Sequence, residues 1–272
     1  MWQKTQMTWF FILVTFITIE TFKPNKADAS LIDGLISAWT FDNGDALDFF
    51  GSNHGAIKGG VVPTVNGKFG PAMDFNGVDG YIEVPSSASL EQTQAFTISA
   101  WVNIREAKDH SAIVWKGEKI GWGPNYLFRI GTTSNTDLVW GVCWDKTEGG
   151  FATVDVITPN EWHFVGLTVN GRQAVVYVAG GSNVTIFTRE PALAPYLTFP
   201  DQPLEIGRGV GINDEPDNVQ YLEGFIDEVY FWKRALSVAE LQQAADEGLH
   251  GAAVAVEPVG KLATVWGAVK RR

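Results

Sequence analysis

The sequence predicts an all-β protein, a sandwich of two antiparallel sheets with one short helix after the last strand. Short segments rich in valine, isoleucine, threonine and aromatic residues recur along the chain, which is typical of strands. Turns that carry glycine or asparagine separate these segments at the spacing of a sandwich. A single helix signal follows the last segment.

Two strand pairs are predicted to be hairpins, because an Asn-Gly dipeptide lies between their strands. The dipeptides are Asn76-Gly77 and Asn170-Gly171, and the second is the stronger turn signal. The predicted strands, in chain order, cover residues 35–41, 72–75, 81–84, 96–103, 111–116, 126–130, 138–144, 151–156, 162–169, 174–178, 204–206 and 225–232.

The last strand is apolar on nearly every position, which indicates that both of its faces are covered. Asp227 and Glu228 are the exceptions, and alternation predicts that they point to opposite faces. Asp227 then shares a face with Phe225, Val229 and Phe231. Since an unpaired buried carboxylate is costly, Asp227 is expected to meet a cation, an arginine or backbone N–H groups.

The helix signal lies directly after this strand. Ser237 and Glu240 have the spacing of a capping box, and Leu236 is placed to contact Leu241 as a hydrophobic staple. The pattern predicts a helix over residues 238–247 that ends at Gly248.

Several stretches resemble one known family in the same order along the chain. They read GLISAWTFDNGDALDFFGSNHGAIKGG, GKFGPAMDFNGVDGYIEVPSSASL, FTISAWVN, EWHFVGLTVNGRQAVVYVAG and GFIDEVYFWKRALSVAELQ. They resemble the laminin-G-like jelly-roll domains of the concanavalin A-like lectin/glucanase superfamily. The resemblance covers about residues 31–248 and implies a jelly-roll sandwich. It says little about function, because one fold hosts many activities.

The ends of the chain differ from the predicted domain at residues 30–250. Residues 1–29 are interpreted as a signal peptide, with an apolar run at 9–19 and an Ala27-Asp28-Ala29 cleavage site before Ser30. An uncleaved N-terminal anchor is the alternative. The mature chain is expected to be secreted or held at the cell surface, with no membrane span.

The tail, residues 251–272, places apolar residues at helical spacing among basic ones. It is either a loosely held terminus or a docking or sorting segment, and the oligomeric state stays open.

Composition and motifs argue against several functions. The net charge of −11 disfavours nucleic acid and anionic membranes. Cys143 is the only cysteine, so no intramolecular disulfide forms, and a buried inert thiol is expected. The E-x-D-x-x-E strand of jelly-roll glucanases, the G-x-S-x-G motif and H-E-x-x-H are all absent. The sequence therefore predicts a protein that is not an enzyme.

The resemblance implies a structural calcium ion, because related domains bring the loop at 42–53 and the last strand together around one. The implied ligands are Asp48, Asn53 and Asp227, with Asp42 as a further candidate. Calcium prefers such oxygen ligands. The alternative is that Asp227 accepts backbone N–H bonds or meets Arg208.

Three tryptophans are candidates for ligand binding. Trp122 lies between Gly121 and Gly123, which favours an exposed indole. Trp140 and Trp144 are four residues apart on a strand and share a face, where core packing is the alternative.

The predicted function is that of an exported non-catalytic module that recognises carbohydrate or an extracellular protein surface. The alternatives are a structural or adhesive module acting through its tail, and a degenerate polysaccharide-active enzyme.

Overall fold

The computed structural model describes residues 30–106, 111–117, 124–130, 137–143, 149–181, 183–189, 194–210 and 219–249. Within these residues there are seventeen strands, a 3₁₀-helix at Ala88–Leu90 and one α-helix, α1 (Val238–Glu247), joined by turns and loops. The strands are β1 (Leu35–Trp39), β2 (Ala56–Lys58), β3 (Val62–Thr64), β4 (Ala72–Asn76), β5 (Tyr81–Val84), β6 (Phe96–Glu106), β7 (Ser111–Gly117), β8 (Pro124–Ile130), β9 (Asp137–Cys143), β10 (Gly149–Asp155), β11 (Trp162–Val169), β12 (Ala174–Gly180), β13 (Asn183–Arg189), β14 (Leu204–Ile206), β15 (Arg208–Val210), β16 (Val219–Tyr221) and β17 (Glu223–Trp232).

The strands form two large antiparallel sheets and one ribbon. The eight-stranded sheet has the order β13-β12-β11-β6-β17-β4-β3, and β1 also pairs with β17. The seven-stranded sheet has the order β10-β9-β8-β7-β14-β5-β2, and β15 pairs with β16. The two sheets and the single helix confirm the predicted fold class, a jelly-roll sandwich.

Two apolar clusters hold the layers together. The larger one joins residues of both sheets, among them Trp39, Phe75 and Ile206. The smaller one lies on the other face of the eight-stranded sheet, where Trp101 and Tyr230 pack with residues of α1. The eight-stranded sheet is therefore covered on both faces, as the apolar pattern of its last strand predicts.

The helix forms as predicted. The Ser237 side chain accepts from the N–H of Glu240, and the Glu240 carboxylate accepts from the N–H of Ser237. Leu236 and Leu241 lie in the same apolar cluster, as a staple requires. None of the helices in the described part of the chain has the length and apolar character of a membrane span.

The hairpin predicted at Asn76-Gly77 is wrong, whereas the one at Asn170-Gly171 is confirmed. β4 pairs with β3 and β17 in one sheet, and β5 pairs with β2 and β14 in the other. The Asn76 Oδ1 accepts from the N–H groups of the three residues Val78 to Gly80. The Asn76 side chain thus provides a hydrogen-bond acceptor for the N–H groups of the loop in which the chain crosses from one sheet to the other.

The prediction that side chains alternate strictly along β17 is wrong, because a β-bulge interrupts the strand. Asp227 pairs with Trp101 and Tyr230 with Ser99, so β17 carries an extra residue, and Glu228 has a φ of 53°. After the bulge Val229 joins the core between the sheets. The predicted grouping of Asp227 with Val229 and Phe231 is therefore wrong.

Candidate functional site

Asp48 organises the loop that follows β1. Its Oδ1 accepts from the N–H of Ala38 at 2.9 Å, of Phe50 at 3.1 Å and of Gly51 at 2.8 Å. Its Oδ2 accepts from the N–H of Asn53 at 3.0 Å. These bonds tie the loop to β1, and they occupy the carboxylate that the resemblance assigns to calcium.

Asn53 is held in the same way by neighbouring side chains. Its Nδ2 donates to the hydroxyl of Ser37 at 2.7 Å, and its Oδ1 accepts from the hydroxyl of Ser87 at 2.6 Å. The Trp39 Nε1 donates to its backbone carbonyl at 2.8 Å. Asn53 therefore connects the loop, β1 and the segment before the 3₁₀-helix, which is a structural role.

Asp227 lies close enough to two other carboxylates, those of Asp42 and Glu228, to interact with their charges. Its Oδ2 accepts from the N–H of Lys68 at 2.8 Å and of Phe69 at 3.1 Å, which is the backbone alternative foreseen from the sequence. Burial raises the pKa of Asp227 to about 6, and the charge of Asp42 also raises it, against these hydrogen bonds. Arg208 is not its partner, because that guanidinium binds Glu205.

Glu228 belongs to the same group of carboxylates. Burial, with smaller contributions from the charges of Asp227 and Asp42, raises the pKa of Glu228 to about 9. The prediction that alternation separates Asp227 from Glu228 is wrong, because the bulge leaves both carboxyl groups buried and within reach of the charge of Asp42. Glu228 is consequently protonated at neutral pH in the absence of a bound cation.

Each of the implied calcium ligands accepts hydrogen bonds from protein groups. Gly51 donates to Asp48, Ser87 to Asn53 and Lys68 to Asp227. Within the described residues, no group of three or more histidine, cysteine, aspartate or glutamate side chains is arranged to hold a metal ion. Calcium therefore stays a prediction, with Asp227 and Asp42 as the residues that fit it best.

The tryptophan candidates cannot be placed against a ligand. Trp122 and Trp144 lie outside the described residues. Trp140 is in β9, where its backbone pairs with Phe128 and Ala152, and its side chain lies outside the description. The assignment of these three residues stays a prediction.

A different cluster lies on the outer face of the seven-stranded sheet. Leu204 and Ile206 of β14 point into the core between the sheets, so Glu205 points away from it. Glu205 is paired across the strands with Glu83 on one side and Trp115 on the other. We call the cluster the Tyr81 site, and its members are Tyr81, Glu83, Trp115, Glu205, Arg208 and Tyr221.

An ion pair fixes the centre of the Tyr81 site. The Arg208 Nε donates to a carboxylate oxygen of Glu205 at 3.0 Å, and its Nη2 donates to the other. The guanidinium carbon lies 3.8 Å from the centroid of the Tyr81 ring. Burial would lower the pKa of Arg208, but Glu205 and the two tyrosines outweigh it and raise the pKa. Arg208 is thus a buried cation that Glu205 holds on the outer face of the sheet.

Aromatic rings and a second ion pair surround this centre. The ring centroids of Tyr81 and Tyr221 are 6.3 Å apart, and both residues are partly exposed. Glu83 meets Lys58 at 3.6 Å. Tyr81, Tyr221 and Glu83 are partly exposed, whereas Glu205 and Arg208 are buried beside them.

The residues that are cross-strand neighbours of Glu205 form a row across the seven-stranded sheet, and this row reaches Gly141 in β9. Glu83, Glu205, Trp115 and Leu127 follow one another across the strands, and Leu127 pairs with Gly141. A glycine within a strand lets another group approach the backbone closely. Trp115 itself is buried, and its Nε1 has no hydrogen-bond partner among the described residues.

The sequence analysis missed the Tyr81 site. One sequence feature could have indicated it. Glu83 and Glu205 are each the single carboxylate in a short, otherwise apolar strand, Tyr81–Val84 and Leu204–Ile206. Such a residue must face away from the core. That Glu83 and Glu205 are neighbours could not be read from the sequence, because more than a hundred residues separate them.

A family model described as the concanavalin A-like lectin/glucanase superfamily (Laminin_G_3) matches residues 76–242, more than half of the chain. The chain belongs to this superfamily. No curated protein sequence matches the chain.

Solved structures of similar fold place this superfamily member among domains of several functions. Domain 4 of AbnA, a GH43 extracellular arabinanase from Geobacillus stearothermophilus in complex with arabinotriose, is 22% identical, with a TM-score of 0.57 over 78% of this chain and 98% of that one. The binding domain of Paraclostridial Mosquitocidal Protein 1 is 16% identical, with a TM-score of 0.59 over 78% of this chain and 51% of that one. The Trypanosoma rangeli sialidase in complex with sialic acid is 18% identical, with a TM-score of 0.55 over 80% of this chain and 33% of that one. At these identities the likeness shows the fold alone.

Proposed function

We propose that this member of the concanavalin A-like superfamily is an exported, non-catalytic module that binds carbohydrate at the Tyr81 site. The observation that carries the proposal is the pair of partly exposed tyrosines beside Glu83, Glu205 and Arg208. Aromatic faces stack on the apolar faces of sugars, and charged groups hydrogen-bond their hydroxyls. Binding modules among the structural neighbours support a binding role. An extracellular protein surface is the second candidate ligand.

The pairing of the carboxylates favours binding over catalysis. A glycoside hydrolase needs two carboxylates on either side of the scissile bond, one of them able to donate a proton. Glu83 and Glu205 are directly opposite each other, but each already has a cation partner, Lys58 or Arg208. Release of reducing sugar that is lost in Glu205→Gln would favour the alternative of a polysaccharide-active enzyme.

Tyr81→Ala is expected to weaken glycan binding by at least tenfold, or about 1.4 kcal/mol, because it removes a stacking ring. A glycan array with the purified chain identifies a ligand, and calorimetric titration then compares variants, with calcium and with chelator. Phe49→Ala is the matched control, since Phe49 is an aromatic residue that is 64% exposed on the loop after β1. Trp122→Ala tests the candidate from the sequence in parallel.

Equal affinity in Tyr81→Ala and wild type would show that the ligand binds elsewhere. A loss confined to Trp122→Ala would move the site to the segment around Trp122. If no glycan binds and an extracellular protein does, the second candidate ligand replaces the first.

Export after cleavage at Ala29 is a further part of the proposal. Leu31 is buried, and its carbonyl accepts from the Trp232 Nε1 at 2.6 Å. A chain that starts at Ser30 therefore keeps this contact. Intact-mass measurement of protein from outside the cytoplasm is expected to give a chain beginning at Ser30. A mass that retains Met1, found in the membrane fraction, would support an uncleaved anchor instead.

A structural calcium ion at Asp227 and Asp42 completes the proposal. The Asp227 Oδ1 is buried without a hydrogen-bond partner among the described residues. A divalent cation would convert repulsion among these carboxylates into a cross-link between β17 and the loop after β1.

A further inference from the structure

β13 is an end strand of the eight-stranded sheet with a long open edge. All seven of its residues, Asn183–Arg189, pair with β12. No other strand of the described residues pairs with it. Its outer edge thus carries a row of backbone N–H and C=O groups that can pair with another strand.

The other end strands are protected in ways that β13 is not. β3 and β2 have three residues each, with Pro63 in β3 and Lys58 in β2. β10 begins with two glycines, which weaken a strand. Short length, proline and charge are the usual means of blocking strand addition. β13 has seven residues and no proline, and its one charged residue, Arg189, is its last.

The outward groups of β13 belong to three residues. Two residues connect β12 and β13, so the flanking pair of Gly180 and Asn183 is hydrogen-bonded, and such pairs alternate along the ladder. Val184, Ile186 and Thr188 therefore point their N–H and C=O groups away from β12. Val184 is 50% exposed and Ile186 47% exposed.

The side chains of these residues also face away from the sandwich core. Phe187 packs against the core between the sheets, so Ile186 lies on the other face. Ile186 pairs with Tyr177, whose hydroxyl donates to Gln242 of α1. The exposed strip of Val184 and Ile186 thus runs beside the helix.

We propose that β13 pairs antiparallel with β13 of a second copy of this chain, about a two-fold axis at Ile186. In this register Ile186 meets Ile186, and Val184 meets Thr188 of the other copy. All outward N–H and C=O groups of the three residues then find partners, and the eight-stranded sheets join into one. The edge is complementary to itself, as an interface with two-fold symmetry requires. Such a dimer presents two copies of the outer sheet face, which increases avidity for a repeated ligand.

The first test measures the mass of the full chain by light scattering and sedimentation over a concentration series. The wild type is expected to dimerise. Ile186→Pro removes an outward N–H without touching the bonds to β12, and Ile186→Lys places two like charges opposite each other. Both are expected to weaken the dimer by about a hundredfold or more. Ile57→Lys is the matched control, since Ile57 is 37% exposed on the end strand β2, and it is expected to dimerise normally.

The second test reads the register by disulfide cross-linking in a Cys143→Ser background. Ile186→Cys is expected to cross-link under mild oxidation, because the paired Cα atoms are about 5.5 Å apart. Val184→Cys is the control on the same strand and face. Its copies are separated by roughly 13 Å, which is too far for a disulfide.

A wild type that is monomeric at every concentration overturns the proposal, as does a dimer that persists in Ile186→Pro with wild-type thermal stability. A monomer that dimerises only after removal of residues 250–272 shows that the tail occupies this edge, and it also overturns the proposal for the intact chain.

Discussion

Glu228→Gln is expected to stabilise the protein at neutral and alkaline pH. Burial and the charges of Asp227 and Asp42 raise the pKa of Glu228 from 4.5 to about 9. Near pH 7 the unfolded chain releases the Glu228 proton and the folded state keeps it, which lowers the stability by about 3 kcal/mol. Glutamine has nearly the same shape and does not ionise, so it removes this cost. In chelator at pH 8 the melting temperature is expected to rise by about 5–10 °C.

The pH dependence of stability gives the direction of the effect. The folded state holds the Glu228 proton more tightly than the unfolded state does. The stabilisation that results from this proton is therefore complete below pH 4.5 and is lost as the pH rises through about 9. The melting temperature of the wild type should fall over this range, and Glu228→Gln should lack most of the fall. Glu106→Gln is the control, since Glu106 is exposed on β6. Equal slopes in all three proteins would contradict the shifted pKa.

The same series in calcium tests the proposed ion. A cation bound only by the folded state stabilises it by about 2.7 kcal/mol at a hundredfold excess over its dissociation constant. Calcium should therefore raise the melting temperature of the wild type, and Asp227→Asn should abolish the increase. If calcium and chelator give the same curve for the wild type, while Asp227→Asn still destabilises, the N–H groups of Lys68 and Phe69 are sufficient partners.

Lys116→Met is expected to cause the second large change, a loss of about 3–5 kcal/mol, because it leaves a buried carboxylate without its cation. The Lys116 side chain is 0% exposed, and its Nζ lies 2.6 Å from the Glu91 Oε1. The Nζ also donates to the carbonyls of Phe199 at 3.1 Å and of Gln202 at 2.6 Å. Lys116 therefore links β7 to two loops, and its loss should show in denaturant unfolding.

The double variant Lys116→Met/Glu91→Gln separates charge from packing. Removing both charges should recover much of the loss, because no unpaired ion is left inside. Lys58→Met is the matched control: Lys58 pairs with Glu83 at 3.6 Å, and its side chain is 42% exposed. A change of about 0.5 kcal/mol or less is expected there. A Lys116→Met loss no larger than that of Lys58→Met would show that the buried ion pair contributes little.

Local signals in the sequence gave reliable predictions where the physics is local. The capping box of Ser237 and Glu240 and the turn at Asn170-Gly171 depend on residues a few positions apart, and both are confirmed. The prediction of a hairpin at Asn76-Gly77 was wrong, because the partners of β4 and β5 are distant strands of two different sheets. A turn dipeptide states that the chain bends, and it does not state which strand becomes the partner.

Predictions about faces and partners were less reliable, because they depend on distant strands. One bulged residue, Glu228, changes which side chains of β17 enter the core. The resemblance assigns the carboxylate of Asp48 to calcium, and only the structure shows that N–H groups of its own loop and of β1 donate to it. Lys116 gave no sign in the sequence that it would be fully buried.

The sequence by itself determined the fold class and the helix, because alternation, turns and caps act between near neighbours, and its motifs carried the resemblance to the superfamily. Only the tertiary structure decided the chemistry at the surface. Glu83 and Glu205 become neighbours when β5 and β14 pair, and Arg208 and Tyr221 join them through the ribbon of β15 and β16. Sheet pairing sets these distances, and the pairing of strands so far apart along the chain is fixed by the packing of the whole sandwich.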